Sequence, residues 1–162
     1  MHKFLDDNII AIFFFISVLI LLSAYFIEYV LGYEACNLCL IGRIPYFFII
    51  ALSIFFFFFS KFKKIILILI LVSFVFSALI SFYHFGVEQE FFDESLVCQI
   101  KVLKHDVSSA ELLLELENNK PKSCKDVDFK LFGLSLATIN LFISLILSAI
   151  TLFYIFKNET NK

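Results

Sequence analysis

Four stretches of this chain run almost without charge: Ile9–Leu31, Ile44–Ser60, Ile65–His84 and Leu131–Phe156. An α-helix rises about 1.5 Å per residue and crosses the hydrocarbon of a bilayer in about 20 residues. Each stretch is of that order, so the chain reads as four spans. Composition agrees: 61% of the 162 residues are hydrophobic, with 24 phenylalanines, four glycines, two prolines and no tryptophan. Soluble domains average about 45–50% apolar residues and need a polar coat. Here the bilayer supplies the burial. The expected fold is an all-α membrane protein, a four-helix transmembrane bundle forming one integral membrane domain over residues 1–162.

The first stretch is too long for the roughly 7–15 apolar residues of a signal peptide, and no A-x-A-like cleavage site follows it. It reads as a retained helix. The net charge of −2 excludes a nucleic-acid footprint. No internal repeat and no flexible linker divides the chain.

Two connections between spans are short, Gly32–Arg43 and Lys61–Lys64, whereas the third, roughly Phe85–Lys130, is long and polar. Four spans put both termini on one side with the Lys61–Lys64 turn, and loops 32–43 and 85–130 on the other. Cys36 and Cys39 lie in the first of these loops and Cys98 and Cys124 in the second, so all four cysteines face one compartment. Lys61, Lys63 and Lys64 crowd one turn, with Lys3 and Lys157 beside the termini. Positive charge near span ends marks the cytoplasmic side. The six lysines of the long loop are diluted by ten acids, and long loops bear weakly on orientation. The termini are therefore expected in the cytoplasm and the cysteine loops in the bacterial periplasm or an equivalent oxidising space, where disulfides persist.

Within the long loop, Ser108 stands three residues before Glu111 and ahead of Leu112, Leu113, Leu114 and Leu116, a helix-start signature closed near Asn119-Lys120-Pro121. Two readings stand side by side: a short helix lying in the membrane interface, or a loop helix packed on the spans.

Cys36-Asn37-Leu38-Cys39 is a C-x-x-C pair at the mouth of the second span. A helix N-terminus beside it would favour a thiolate, because unpaired backbone N–H groups carry partial positive charge. Arg43 follows Cys39 by one helical turn, and its permanently charged guanidinium lowers the cost of a nearby thiolate. Pro45 is tolerated in a first turn with N–H groups to spare. Together these read as a redox centre. Three blander readings compete: a zinc site, structural disulfides, and an arginine that snorkels to the headgroups. Zinc fits poorly, because Cys98 and Cys124 are not in knuckle spacing, and no metal is expected. Glu28, in the last turn of the first span, reads as an acid reaching the headgroups.

Cys36-Asn-Leu-Cys39-Leu-Ile-Gly-Arg43 resembles the C-x-L-C-x-x-x-R signature of the DsbB family of disulfide bond formation proteins. Tyr83-His84-Phe-Gly86-Val-Glu88 is similar to the segment after that family's third span, and Phe132-Gly133-Leu-Ser135-Leu-Ala-Thr-Ile-Asn140 to the start of its fourth. The likeness covers nearly the whole chain. It departs at Gly42, where the family usually has Gln or Glu before the arginine. It departs again at Ala137 and Ile139, where proline and tryptophan are usual.

The resemblance implies a thiol:quinone oxidoreductase of the bacterial inner membrane. Cys36 and Cys39 match the quinone-proximal pair, with Cys39 engaging the ring, while Arg43 and, less directly, His84 match positions toward the quinone. Cys98 and Cys124 match the loop pair, Cys98 taking a soluble thioredoxin-like, DsbA-type partner and Cys124 passing electrons to Cys36. The implied cofactor is ubiquinone or menaquinone from the membrane pool. Two rivals remain: a reductant carrying thiols across the bilayer, which would need cysteines in the spans or on both faces, and a non-catalytic scaffold stapled by two disulfides.

Overall fold

The computed structural model describes residues 2–94, Cys98, Cys124, residues 130–131 and residues 133–160. Its helices are α1 (His2–Tyr29), a single short turn α2 (Asn37–Ile41), α3 (Ile44–Phe58), α4 (Lys63–Glu88) and α5 (Leu136–Thr160). Four candidate spans follow, with α2 and α3 together making the second, Asn37–Phe58. The all-α, four-helix transmembrane architecture expected from the sequence is the one formed. The leucine-rich segment 108–120, with either of its two readings, lies outside the described residues.

The apolar runs and the helices do not share their ends. Helix α1 begins at His2 because helical hydrogen bonding does not stop where hydrophobicity does. It ends at Tyr29, and three residues on Gly32 takes a φ of +75°, the left-handed conformation that glycine adopts without steric penalty. Helix α4 continues one turn beyond His84 to Glu88. The fourth run is not helical from Leu131: a two-stranded hairpin, β1 (Lys130–Leu131) and β2 (Leu134–Ser135), pairs Lys130 with Ser135 and Leu131 with Leu134. Gly133, at φ +81°, makes the turn. Ser135 then caps α5, its Oγ accepting from the Thr138 N–H at 3.2 Å.

Helix α1 packs on α3, α3 on α4 and α4 on α5, while α1 and α5 scarcely touch. The centre holds Phe13 of α1, Tyr46 and Ile49 of α3, Ile70 and Phe74 of α4 and Leu147 of α5, and the Phe13 and Phe74 rings meet edge to face at 5.4 Å. Large apolar side chains outside this core stay exposed, Phe57 at 85% and Phe153 at 71%, as lipid contact allows and water would not. In lipid there is no hydrophobic drive between helices, so close approach relies on small residues and hydrogen bonds. Helix α4 presents Ser77, Ser81, His84 and Glu88 inward at spacings of four, three and four, and α5 answers with Asn140, Ser144, Leu147 and Thr151. That alternation keeps one stripe of each helix against its neighbour.

A polar network crosses this seam. The Tyr46 hydroxyl lies 2.5 Å from Asn140 Oδ1 and 3.0 Å from Ser144 Oγ, Ser77 reaches Ser144 at 3.0 Å, and Asn140 Nδ2 donates to Ser81 at 2.6 Å. Replacing Tyr46 by phenylalanine strands these partners. Hydrogen bonds between spans are worth about 0.6 kcal/mol on average and up to about 1.7. With several partners affected, Tyr46→Phe is expected to cost about 1–2 kcal/mol, read by unfolding in mixed micelles.

Candidate active site

The four cysteines gather at one end of the bundle. Cys36, Cys98 and Cys124 form a buried cluster with Leu38 and Val87, and Cys39 and Tyr83 pack against it. Cys98 and Cys124 are joined by a disulfide with Cα atoms 5.7 Å apart. A pair in the polar loop is expected to stand open to a soluble partner, yet each half is only 2% exposed. Disulfide sulfur is weakly polar and lowers its free energy by leaving water. The loop cysteines therefore rest on the span-end pair.

How the chain reaches this cluster is visible at Gly86. After α4 it folds back, and the Phe91 and Phe92 N–H groups both donate to the Gly86 carbonyl, at 2.8 and 3.1 Å. The Phe92 ring lies over Gly86, where a Cβ would overlap it, and stacks on Tyr83 at 5.8 Å. This turn starts the loop toward Cys98.

Cys36 and Cys39 are free thiols with sulfurs 2.9 Å apart. Cys36 caps α2, its sulfur accepting from the Cys39 N–H at 3.3 Å. Helix α2 stops at Ile41 and α3 starts at Ile44, so Arg43 does not share a continuous helix with Cys39. The cause is Pro45, which has no N–H to donate to the Ile41 carbonyl. Arg43 still faces the same cavity, but its positive charge is paired within the protein. Its Nη1 lies 2.5 Å from Glu28 Oε2, with the side chains only 11% and 20% exposed, and its guanidinium lies 4.8 Å from the Tyr25 ring centroid. Glu28 therefore turns inward, away from the headgroups. The pairing joins α1 to the start of α3.

His84 is buried, at 7% exposure. Its Nε2 lies 3.5 Å from Cys36 Sγ and 3.6 Å from Glu88 Oε1. The imidazole also hydrogen-bonds the main-chain carbonyl of Cys124, and Glu88 hydrogen-bonds Ser135. The Cys39 thiol, by hydrogen bonding to the Cys36 sulfur, brings the Cys36 pKa down from 9.0 to about 4; burial opposes this, and the hydrogen bond and charge of His84 add to it. These contacts favour the Cys36 thiolate, the nucleophilic form.

These groups line a cavity of about 420 Å3. Its walls carry Ile20 and Ile27 from α1 and Ile139 and Ile143 from α5, and Cys39, Arg43, His84, Ser81 and Asn140 supply its polar points. Size and character suit a flat, largely apolar ligand with a few polar atoms. The metal alternative is weaker. Cys36, Cys39 and His84 bring their ligand atoms within 4.8 Å of one another. Two thiolates on one tetrahedral zinc, however, sit about 3.8 Å apart, given Zn–S bonds of about 2.3 Å. Sulfurs at 2.9 Å are placed instead to bond to each other.

Comparison with known proteins agrees with this chemistry. The family described as Disulfide bond formation protein DsbB matches residues 6–154. The chain belongs to the DsbB family. As a DsbB-family member it is a multi-pass helical membrane protein of disulfide-bond formation. It is also similar to the uncharacterized protein RP370 of Rickettsia prowazekii (strain Madrid E), 28% identical over 148 residues, 91% of this chain and 86% of that one. No solved structure matches.

Three features of the site escape the sequence reading. Glu88, Tyr46 and the Glu28–Arg43 pair each depend on contacts between segments far apart in the chain. Only Glu88 leaves a local signal: it lies four residues after His84 and so shares its helical face.

Proposed function

We propose that this protein is a thiol:quinone oxidoreductase of the bacterial inner membrane, with termini in the cytoplasm and cysteine loops in the periplasm. It reoxidises a soluble thioredoxin-like, DsbA-type protein. The observation that carries this reading is the contact between an oxidised loop pair and a close thiol pair that lines an apolar cavity.

Thiol–disulfide exchange proceeds by thiolate attack on a disulfide sulfur. The partner's thiolate attacks Cys98, the Cys98–Cys124 bond breaks, and the freed Cys124 sulfur attacks Cys36 of the oxidised inner pair. Cys39 then leaves as the thiolate facing the cavity. Resolution of the mixed disulfide by the partner's second thiol frees Cys98, whose thiolate attacks Cys124; the Cys36–Cys124 bond breaks, Cys98–Cys124 is restored, and Cys36 and Cys39 are left reduced. Ubiquinone or menaquinone, when bound, supplies the two-electron acceptor. Arg43, which lines the cavity, would hold a carbonyl oxygen, and the isoleucines of α1 and α5 would line its ring. The apolar walls exclude water from the reacting sulfurs.

Protein purified in detergent and given a reduced thioredoxin-like partner is expected to reduce an added quinone. Failure with both quinone classes and several partners would favour the disulfide-stapled scaffold. Cys98→Ser is expected to abolish the mixed disulfide with a partner whose resolving cysteine is removed, with at least a tenfold lower yield on non-reducing gels. An undiminished yield would move the docking role to Cys124.

A further inference from the structure

Glu88 is an acid inside the bundle that the thiol-exchange steps leave without a task. Its side chain is 5% exposed, and its Oε2 has no hydrogen-bond partner among the described residues. A carboxylate so placed is costly unless a positive group faces it. The nearest is His84, at the next turn of α4, with Nε2 3.6 Å from Glu88 Oε1. The same Nε2 lies 3.5 Å from the Cys36 sulfur. Sulfur and carboxylate thus flank one ring nitrogen, so a proton on Nε2 faces both the thiolate and the carboxylate.

We propose that His84 and Glu88 act as one unit that keeps Cys36 a thiolate: His84 holds the proton Cys36 gives up, and Glu88 holds the imidazolium. His84 touches the reacting sulfur and is a catalytic residue. Glu88 acts through it and is a positioning residue. The charged and titratable neighbours are consistent with this. Cys39 faces Cys36 from α2, Lys130 of β1 acts on Glu88, and Ser135 and the Cys124 carbonyl hold Glu88 and His84 in place. The Cys124 contact adds a link to the loop pair, since the imidazole serving Cys36 is positioned by main chain of the residue that delivers electrons to it.

The balance is simple. Closing the Cys36–Cys39 disulfide from this state breaks the Cys39 S–H bond and the imidazolium N–H bond and forms one S–S bond. The two electrons and two protons released are what a quinone takes up in becoming a quinol. One of those protons is the one stored on His84, beside the cavity where it is needed. The assignment rests on the redox reading above, but its test involves no quinone.

The reduced full-length protein in detergent, stripped of quinone, is treated with iodoacetamide between about pH 4 and pH 9, and alkylation of the Cys36 peptide is followed by mass spectrometry. The wild type is expected to react nearly as fast at pH 6 as at pH 8. In His84→Gln the midpoint of the pH–rate profile is expected to rise by one unit or more from about pH 4, so that the rate at pH 4 falls about fivefold or more while the rate at pH 8 is unchanged. Unchanged rates would overturn the role of His84. For Glu88, nitrogen-15 spectra at pH 7 are expected to show His84 as an imidazolium in the wild type and in Glu88→Asp, and as a neutral ring in Glu88→Gln. A neutral ring in the wild type, or an imidazolium that survives Glu88→Gln, would overturn the role of Glu88. Loss of quinone reduction with both signatures intact would instead count against the acceptor assigned above.

Discussion

Cys39→Ser is expected to lower thiol-dependent quinone reduction by about a thousandfold or more, because no other group in the site can replace a lost sulfur nucleophile. Serine keeps the shape and the hydrogen-bonding capacity but cannot form a disulfide or give up electrons at biological potentials. The fold should tolerate the change, since Cys39 is only partly buried and packs at the edge of its cluster. The loop disulfide should still form, and the Cys36 thiolate should attack its Cys124 sulfur, releasing the Cys98 thiol and leaving a trapped Cys36–Cys124 bond. Steady-state turnover together with a non-reducing peptide map reads both effects. Undiminished turnover would remove the mechanism. Lost turnover with no trapped Cys36–Cys124 species would keep the role of Cys39 but break the proposed order of transfer.

The largest expected effect on stability is at the Arg43–Glu28 pair. Truncating Arg43 to alanine leaves the Glu28 carboxylate, 20% exposed, facing an apolar cavity without its cation. Breaking a buried pair on one side typically costs about 3–5 kcal/mol, whereas replacing both members by neutral groups is often close to neutral. With residual exposure at the cavity mouth, about 3 kcal/mol is expected for Arg43→Ala, including the lost Tyr25 contact. Arg43→Met combined with Glu28→Gln is expected to recover most of it. Unfolding in mixed micelles measures both. If the double variant is stable but still binds quinone weakly, the guanidinium has a binding role beyond joining α1 to α3. If binding recovers along with stability, Arg43 acts in the architecture alone.

The signals that could be read in the chain were of two kinds. Hydrophobicity accumulates along a segment, so Ile9–Leu31 and Ile44–Ser60 announce themselves without any partner. The C-x-x-C pair is as local: Cys36 and Cys39 are brought together by one turn of α2, whatever the rest of the chain does. Helix ends were less legible, because they are set by backbone stops such as Pro45 and Gly133, and the hydrophobic run overshoots or undershoots them.

The sequence by itself determined a four-span helical membrane protein with its cysteines on one side, since span count and parity need only local hydropathy. It also determined which cysteines form the close pair. Only the tertiary structure decided that Glu28 pairs with Arg43, that Tyr46 ties α3 to Asn140 and Ser144, and that the loop disulfide rests on Cys36. It alone placed Glu88 and the Cys36 sulfur at the same nitrogen of His84. The physical reason is that a buried polar group is satisfied by whichever segment packs beside it. That choice belongs to the packing of the helices and is written in no single stretch of the chain.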